Sequence, residues 1–215
     1  MIDADLFARL LPVFALAGLH TVELTLVALA GGLLVGFGMN ALRELGPESL
    51  RAAYWTYTAV WRGMPFLVHL FICYFGLTSI GLTLDPFEAA ALALALYGGA
   101  YFAEIFRACW QSIPVGQVEA AYAMGLSRRH VFLHIQCPQA LRASLPLITN
   151  QTIILIKESS LASIITYPEL TLMTTKVVSE TYVYVEPYLM LALSYWILTA
   201  AVSRIGRAIS NRVAL

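Results

Sequence analysis

The sequence has little charge for its length. Only 12% of its 215 residues are Asp, Glu, Lys or Arg and 60% are hydrophobic, whereas soluble domains carry about 25% charged residues. The mean hydropathy is +0.75. A chain this apolar would expose large apolar patches in water. The composition therefore excludes an ordinary soluble domain and predicts an integral membrane protein.

The sequence also lacks the residue patterns of metal, redox and catalytic sites. Its three cysteines, Cys73, Cys109 and Cys137, form no CxxC pair, so no disulfide or zinc framework is indicated. His130 and His134 are four residues apart, but no carboxylate lies between them as in a zinc-protease helix. Paired-aspartate and activated-serine motifs are absent as well. We predict no metal site in this chain and no enzyme activity.

Long apolar segments make up most of the sequence. Five of them are long enough, or nearly so, to span a bilayer of about 30 Å. They cover residues 15–42, 52–78, 86–108, 140–166 and 187–205. We predict an all-α integral membrane protein with about five transmembrane helices, forming a single domain over residues 1–215. The N-terminus shows no positively charged region followed by a cleavage site, so no removed signal peptide is expected.

Basic residues indicate the orientation of the chain. They cluster after the first, third and fifth segments, at Arg43, Arg51, Arg107, Arg128, Arg129, Arg142, Arg204, Arg207 and Arg212. The connections after the second and fourth segments have almost no Lys or Arg, apart from Lys176. The positive-inside rule then places the N-terminus outside and the C-terminus in the cytoplasm.

Local signals mark helix ends and helix contacts. Asp85-Pro86-Phe87-Glu88 has the pattern of a capped helix start. Gly32 and Gly36 form a GxxxG pair, and Gly98-Gly99 lies in the third segment. Small residues at such spacing let helices approach closely in lipid, so we interpret them as packing positions.

A polar island, Gly116–Pro138, separates the third and fourth segments. By the orientation above it faces the cytoplasm. Val115–Met124 has the composition of a short exposed helix that Gly125 ends, and Ser127 begins the next helix. Such a helix buries little of itself alone and becomes useful when it fits a groove on another protein.

The island resembles the EAA loop of ABC-importer membrane subunits. Glu119-Ala120-Ala121, then Gly125, Ile135 and Pro138 match that loop, which we place at residues 112–138. Other segments, in the same order, resemble RGTP, GAYxxEIxR, SIPxGQ, PQALR and KDTSL of the polar amino acid subfamily: Trp61–Pro65, Gly99–Arg107, Ser112–Gln117, Pro138–Arg142 and Lys157–Leu161. The sequence is thus similar to histidine-, glutamine- and arginine-type permeases. It departs from them at Met64, Cys137 and Glu158.

This resemblance implies the type I ABC importer permease fold and a set of partners. Two permease subunits, identical or homologous, would work in the bacterial inner membrane with two ATPases and an extracytoplasmic amino-acid-binding protein. The partner ATPase would bind ATP and Mg, and this chain would hold no cofactor. The EAA loop would form the coupling helix docked on the ATPase. Its coupling residues here are Gly116, Glu119, Ala120, Ala121 and Gly125.

Polar residues inside the apolar segments are candidates for the substrate pathway, because ionisable groups in lipid are costly unless they face a cavity or a partner. The candidates are Glu104, Gln151, Lys157, Glu158, Ser159 and Ser160. A lysine would take the carboxylate of an amino acid and a glutamate its amino group. The alternative is that these groups join helices or lie at the membrane edge. The sequence identifies neither the amino acid nor the second permease.

A second function class remains open at this stage. An ion-coupled secondary transporter or channel would use intramembrane acids such as Glu104 as a proton relay. The absence of an inverted repeat argues against it.

Overall fold

The computed structural model describes residues 4–213, and within that range the chain is helical and contains no strand. The helices are α1 (Ala4–Leu45), α2 (Glu48–Gly63), α3 (Phe66–Phe71), α4 (Leu77–Ser79), α5 (Pro86–Gln111), α6 (Val115–Ala123), α7 (Arg128–Val131), α8 (Cys137–Glu158), α9 (Leu170–Thr181) and α10 (Val185–Val213). π-helical turns at Ile72–Gly76 and Phe132–Gln136 join α3 to α4 and α7 to α8, and a 3₁₀ helix, Ser159–Ile165, follows α8. The all-α prediction is confirmed.

The predicted membrane segments fall on helices of different character. Segments 15–42, 86–108 and 187–205 lie within α1, α5 and α10, the three helices of the described range that are long and apolar enough to cross a membrane. Segment 52–78 becomes a fourth if α2 and the bent continuation to Ser79 count as one span. Segment 140–166 coincides with α8 and the 3₁₀ helix. The membrane boundaries themselves stay predictions.

The second segment is bent by 107° between α2 and the helix that follows. Met64 ends α2 in an extended conformation, with φ −123° and ψ 152°, and Pro65 precedes α3. A residue before proline is pushed out of the helical region by the proline ring. The Met64-Pro65 pair therefore explains the bend.

Among the three long apolar helices α5 is the most enclosed, and it organises the packing. Its start is the predicted capping box: the backbone N–H of Glu88 donates to Asp85 Oδ1 at 2.8 Å, and that of Asp85 donates to Glu88 Oε2 at 3.0 Å. Buried alanines and glycines on α5 face α1 and α8, and Leu94 and Phe102 are fully buried. The helix forms a rigid centre against which the other spans pack.

The contact between α1 and α5 depends on glycines. A Cβ atom at Gly36 would lie 2.6 Å from Phe102 Cβ and 2.9 Å from the backbone nitrogen of Ala103. At Gly99 a Cβ would lie 2.8 Å from Val35 Cγ1 and from the hydroxyl of Tyr57. The backbones thus approach at the distance that only small residues allow, as the GxxxG interpretation anticipates.

Candidate functional site

The predicted coupling helix is a separate short helix, α6, between α5 and α7. Gly116, Glu119 and Ala120 are exposed, whereas Ala121 is only 1% exposed and fixes one side of α6 to the protein. Exposed apolar side chains flank the helix, Val115 at 68% and Met124 at 74%. A helix that exposes apolar residues in this way has a surface suited to a groove on a partner.

Gly125 ends α6 in a Schellman motif. The N–H of Leu126 donates to the carbonyl of Ala121 at 3.1 Å, and the N–H of Gly125 donates to that of Tyr122 at 2.9 Å. This pattern requires a left-handed residue, and Gly125 has φ +81°. A Cβ at this position would meet no atom within 4 Å, so the need for glycine is conformational.

The segment after α6 connects it mechanically to α8. Ser127 Oγ accepts from the N–H of His130 at 3.3 Å and begins the predicted next helix. The side-chain amide of Gln139 donates to Gln117 Oε1 of α6 at 2.8 Å. From Arg128 the backbone remains helical through a π turn to the end of α8. A displacement of α6 would therefore be transmitted to α8.

Glu104 lies in a cluster of charged groups between α5 and α2. Its carboxylate accepts from Arg107 on the same helix, with Nη2–Oε2 at 2.9 Å and Nε–Oε1 at 3.2 Å. Arg62 of α2 contributes a second ion pair at 3.2 Å, and the hydroxyl of Tyr54 donates to Glu104 Oε1. Only 16% of the Glu104 side chain is exposed. Its carboxylate therefore holds α2 and α5 together.

The Glu104→Ala substitution is expected to lower the stability of the purified permease. Arg62 and Arg107 would lose their shared counter-charge in a largely enclosed site, at a cost of about 2–4 kcal/mol. Thermal unfolding in detergent measures the effect. The matched control is Glu180→Ala, which removes an exposed acid and is expected to stay within about 0.5 kcal/mol of the parent. Equal unfolding temperatures for the two variants would contradict a clamping role.

The remaining pathway candidates gather at the end of α8, on different sides of it. Gln151 is 4% exposed, and its amide nitrogen has no hydrogen-bond partner in the part of the chain that the structure describes. Glu158 is half-buried and Lys157 is exposed. Ser159 and Ser160 donate to the carbonyls of Ile156 and Lys157, each at 2.7 Å. Gln151 and Glu158 thus face inwards, whereas Lys157 faces outwards.

Two tyrosines of α5, which the sequence analysis did not select, lie between Arg62 and α8. Tyr97 and Tyr101 lie one turn apart on α5, with ring centroids 4.9 Å apart. The guanidinium of Arg62 lies 5.4 Å from the centre of the Tyr101 ring, and Tyr97 belongs to the same buried cluster as Leu155 of α8. The spacing of the tyrosines was visible in the sequence, but the approach of α2 and α8 to them was not.

Glu169 and Leu170 connect the start of α9 to α10 and α1. The fully buried carboxylate of Glu169 accepts from the N–H of Leu172 at 2.9 Å and from the hydroxyl of Tyr195 on α10 at 2.8 Å. The neighbouring N–H of Leu170 donates to Thr21 Oγ1 on α1 at 3.3 Å. Burial raises the pKa of the Glu169 carboxyl, against the opposing effect of its hydrogen bonds. The connection between the fourth and fifth predicted segments is therefore tied to the bundle.

No group of three His, Cys, Asp or Glu residues in the range 4–213 is arranged to hold a metal ion. His130 and His134 stack at 4.1 Å between ring centroids.

Comparison with known proteins gives one family match and several relatives of similar length. The model of the family described as "Binding-protein-dependent transport system inner membrane component" matches residues 32–215. The probable glutamine ABC transporter permease protein GlnM of Bacillus subtilis (strain 168) is 35% identical over 86% of this chain and 85% of its own. The arginine transport system permease protein ArtQ of the same organism is 33% identical over 93% and 92%.

Solved structures match over nearly the whole length. A crystal structure of an amino acid ABC transporter with histidines has a TM-score of 0.92 and 32% sequence identity, and covers 99% of this chain and 99% of its own. The MetNI methionine ABC transporter in an inward-facing conformation has a TM-score of 0.79 at 19% identity, over 95% and 98% of the two chains, and supports the fold alone. The arrangement of helices is that of type I ABC importer permeases.

Proposed function

The chain belongs to the family of binding-protein-dependent transport system inner membrane components, and from this premise we propose that it is the permease subunit through which an ATP-driven importer moves a polar or charged amino acid. The observation that carries the substrate class is the match of 99% of the chain to an amino acid ABC transporter at a TM-score of 0.92. The glutamine and arginine permeases among its relatives agree with this class.

In this proposal α6 is the coupling helix. Gly116, Glu119 and Ala120 are exposed on it, and Ala121 fixes it to the protein. Closure of the two ATPases would draw the coupling helices together and turn the pathway outwards, a two-state transition biased by nucleotide. The Gln117–Gln139 hydrogen bond would carry that movement to α8.

The substrate pathway in this proposal runs past α8 and α5. Glu158 would meet the amino group of the substrate and Gln151 would supply a free amide, with Ser159 and Ser160 beside them. Lys157 faces outwards from this pair, so it would take the carboxylate from a different side of α8. Glu104 joins α2 to α5 through its ion pairs with Arg62 and Arg107, and it would line the pathway when these pairs open. Pathway groups held by such pairs can change partners when helices move.

The proposed assembly contains this permease in a multi-pass inner-membrane arrangement, with its N-terminus outside and its C-terminus in the cytoplasm. A second permease subunit, two ATPase subunits that bind ATP and Mg, and an extracytoplasmic binding protein complete it. ATP hydrolysis takes place in the ATPase subunits, and this chain performs no covalent chemistry. The ion-coupled alternative is not favoured, because the family match and the solved relatives are ABC importers.

Uptake by reconstituted vesicles tests the proposal. The permease, the ATPase and the binding protein are placed in proteoliposomes, and entry of radiolabelled L-glutamine, L-arginine and L-cystine is followed with and without ATP. We expect uptake that requires ATP, the ATPase and the binding protein together. Uptake by the permease alone under a proton or sodium gradient would refute the importer.

The Glu158→Gln substitution is expected to change selectivity rather than assembly. The Glu158 carboxylate would attract the guanidinium of L-arginine in addition to the α-amino group that both substrates share, so its loss should lower uptake of L-arginine at least about tenfold more than uptake of L-glutamine if the parent carries both. Competition between the two amino acids for ATP-driven uptake gives the ratio for parent and variant. Glu180→Gln, at an exposed position, is the matched control. An unchanged ratio would remove Glu158 from the site.

A further inference from the structure

A polar groove of about 290 Å³ lies between α8 and α10, apart from the residues discussed above. Its polar lining comprises Thr149 and Asn150 of α8 with Ser203, Arg207, Ser210 and Asn211 of α10. The two helices touch at its floor, where a Cβ on Gly206 would lie 2.3 Å from the Thr149 side chain. By the predicted orientation, the groove lies near the cytoplasmic end of α10 and beside the middle of α8.

Most polar groups of the groove are unused, whereas the hydroxyl of Thr149 donates to the carbonyl of Leu145 at 2.9 Å. The side chains of Asn150, Ser203, Arg207, Ser210 and Asn211 form no hydrogen bond or ion pair with any residue of the described range 4–213. Arg207, Ser210 and Asn211 follow the fifth predicted segment, which ends at residue 205, so they face water, a ligand or another subunit. Several open donors that converge on one groove are therefore available to a polar ligand.

The two sides of α10 separate lipid from water. At 100° per residue, Ser203, Arg207 and Ser210 lie within an arc of about 60°. Ile205 and Ile209, exposed by 59% and 46%, lie on the opposite side, which carries Arg212 only at the end of the helix. An exposed apolar face fits lipid, so the groove side faces a polar environment.

The groove carries a positive charge, and within residues 4–213 no acidic side chain in its lining balances this charge. The chain has no Asp or Glu from Ala120 to Lys157 or after Glu186, so α10 and the length of α8 that face the groove contribute no acid. Arg207 is the only charged residue in the lining. A guanidinium with neighbouring hydroxyl and amide donors is the chemistry that binds a carboxylate, often through two parallel hydrogen bonds.

We propose that this groove is an exit-side site for the transported amino acid, in which Arg207 binds the substrate carboxylate on its way to the cytoplasm. The inference rests on the proposed import function. It adds a second binding position, on a different face of α8 from Gln151 and Glu158. Because Arg207 has no partner among residues 4–213, it can bind the substrate as the substrate leaves Glu158. The substrate then always has a polar partner.

Access to water tests the geometry of the proposal. In the complete importer, reconstituted with the ATPase outwards and with the native cysteines replaced by alanine, single cysteines are placed by Ser210→Cys and Ile209→Cys. A membrane-impermeant thiol reagent in the bath is expected to label position 210 at a rate at least about tenfold higher than position 209, because only thiols in water ionise and react readily. Equal rates, or labelling of 209 alone, would overturn the groove as an aqueous surface, including the case in which another subunit fills it.

Protection from labelling tests the ligand. L-glutamine and L-arginine in the bath are expected to slow labelling of Ser210→Cys, and glutaminamide and argininamide, which lack the carboxylate, are not. Arg207→Gln should raise the half-protecting concentration at least about tenfold, since it removes a charge-assisted contact. Arg204→Gln, which removes a charge on the same helix outside the groove, should leave protection unchanged. Protection by the amides, or the same protection in Arg207→Gln, would overturn the site.

The experiments distinguish a failure of the exit site from a failure of the import function. ATP-dependent uptake by the parent vesicles reports on the import function alone. If uptake is intact and neither amino acid protects position 210, the exit site is wrong and the importer stands. If no polar or charged amino acid is taken up with ATP, the proposed function fails, and the exit site fails with it.

Discussion

The Gly36→Val variant is expected to disrupt the packing of the permease more than any other single exchange considered for α1. The new Cβ alone would lie 2.6 Å from Phe102 Cβ and 2.9 Å from the backbone nitrogen of Ala103. Backbone of α5 cannot rotate away as a flexible side chain can, so α1 must shift along its whole contact. Overpacking of this kind costs about 1–3 kcal/mol and sometimes more.

Gly38→Val provides the matched control. It lies on the same helix two residues later, and a Cβ there would meet nothing within 4 Å. Both exchanges carry the same intrinsic cost of placing valine in a helix, so the difference between them isolates the α1–α5 contact. Thermal unfolding and monodispersity of the purified protein measure it. If the two variants unfold at the same temperature, the close approach at Gly36 does not contribute to stability.

The glycine pattern shows what the sequence can predict about this fold. The spacing of Gly32 and Gly36 indicates a close helix contact, and the structure has one. The identity of the partner could not be read from the spacing, because it depends on how five segments pack. Gly99, which meets Val35 and Tyr57, belongs to the same contact, and no local pattern links these positions.

Local backbone chemistry was predictable in part. The capping box at Asp85 and the glycine end of α6 follow from residue types that satisfy helix ends in specific ways. The bend at Met64-Pro65 was not anticipated, since the apolar segment continues through it, although a proline restricts the residue before it. The π-helical turns before α4 and α8 carry no recognisable sequence signal.

For the site residues, the sequence predicts which groups are unusual but not which residues they contact. Buried charge identified Glu104 and Glu158 as unusual, because ionisable groups in apolar segments need a partner. The partner of Glu104 is set by tertiary structure, since Arg62 reaches it from α2. The groove at Arg207 was missed for the same reason, since its donors come from two helices far apart in the chain.

The Gly125→Val variant is expected to abolish coupling while leaving the membrane bundle intact. Gly125 has φ +81°, a conformation that costs a β-branched residue roughly 1–3 kcal/mol. That strain is relieved most easily by opening the Schellman motif, which would release the end of α6. Because no atom lies within 4 Å of the new Cβ, the spans should not be disturbed. ATP-driven uptake should fall at least about tenfold, because the free energy with which α6 docks on the ATPase would be lowered by a few kcal/mol.

Gly125→Asn separates conformation from side-chain size in this experiment. Asparagine tolerates the left-handed region far better than valine, so it should retain most of the uptake, whereas both variants add a side chain to the same exposed surface. Uptake, ATPase activity stimulated by the loaded binding protein, and thermal unfolding are measured for each. Coupling is lost if Gly125→Val hydrolyses ATP without uptake and unfolds at the parental temperature. Equal loss in Gly125→Asn would show instead that the partner surface touches position 125, and normal uptake in Gly125→Val would exclude the end of α6 from coupling.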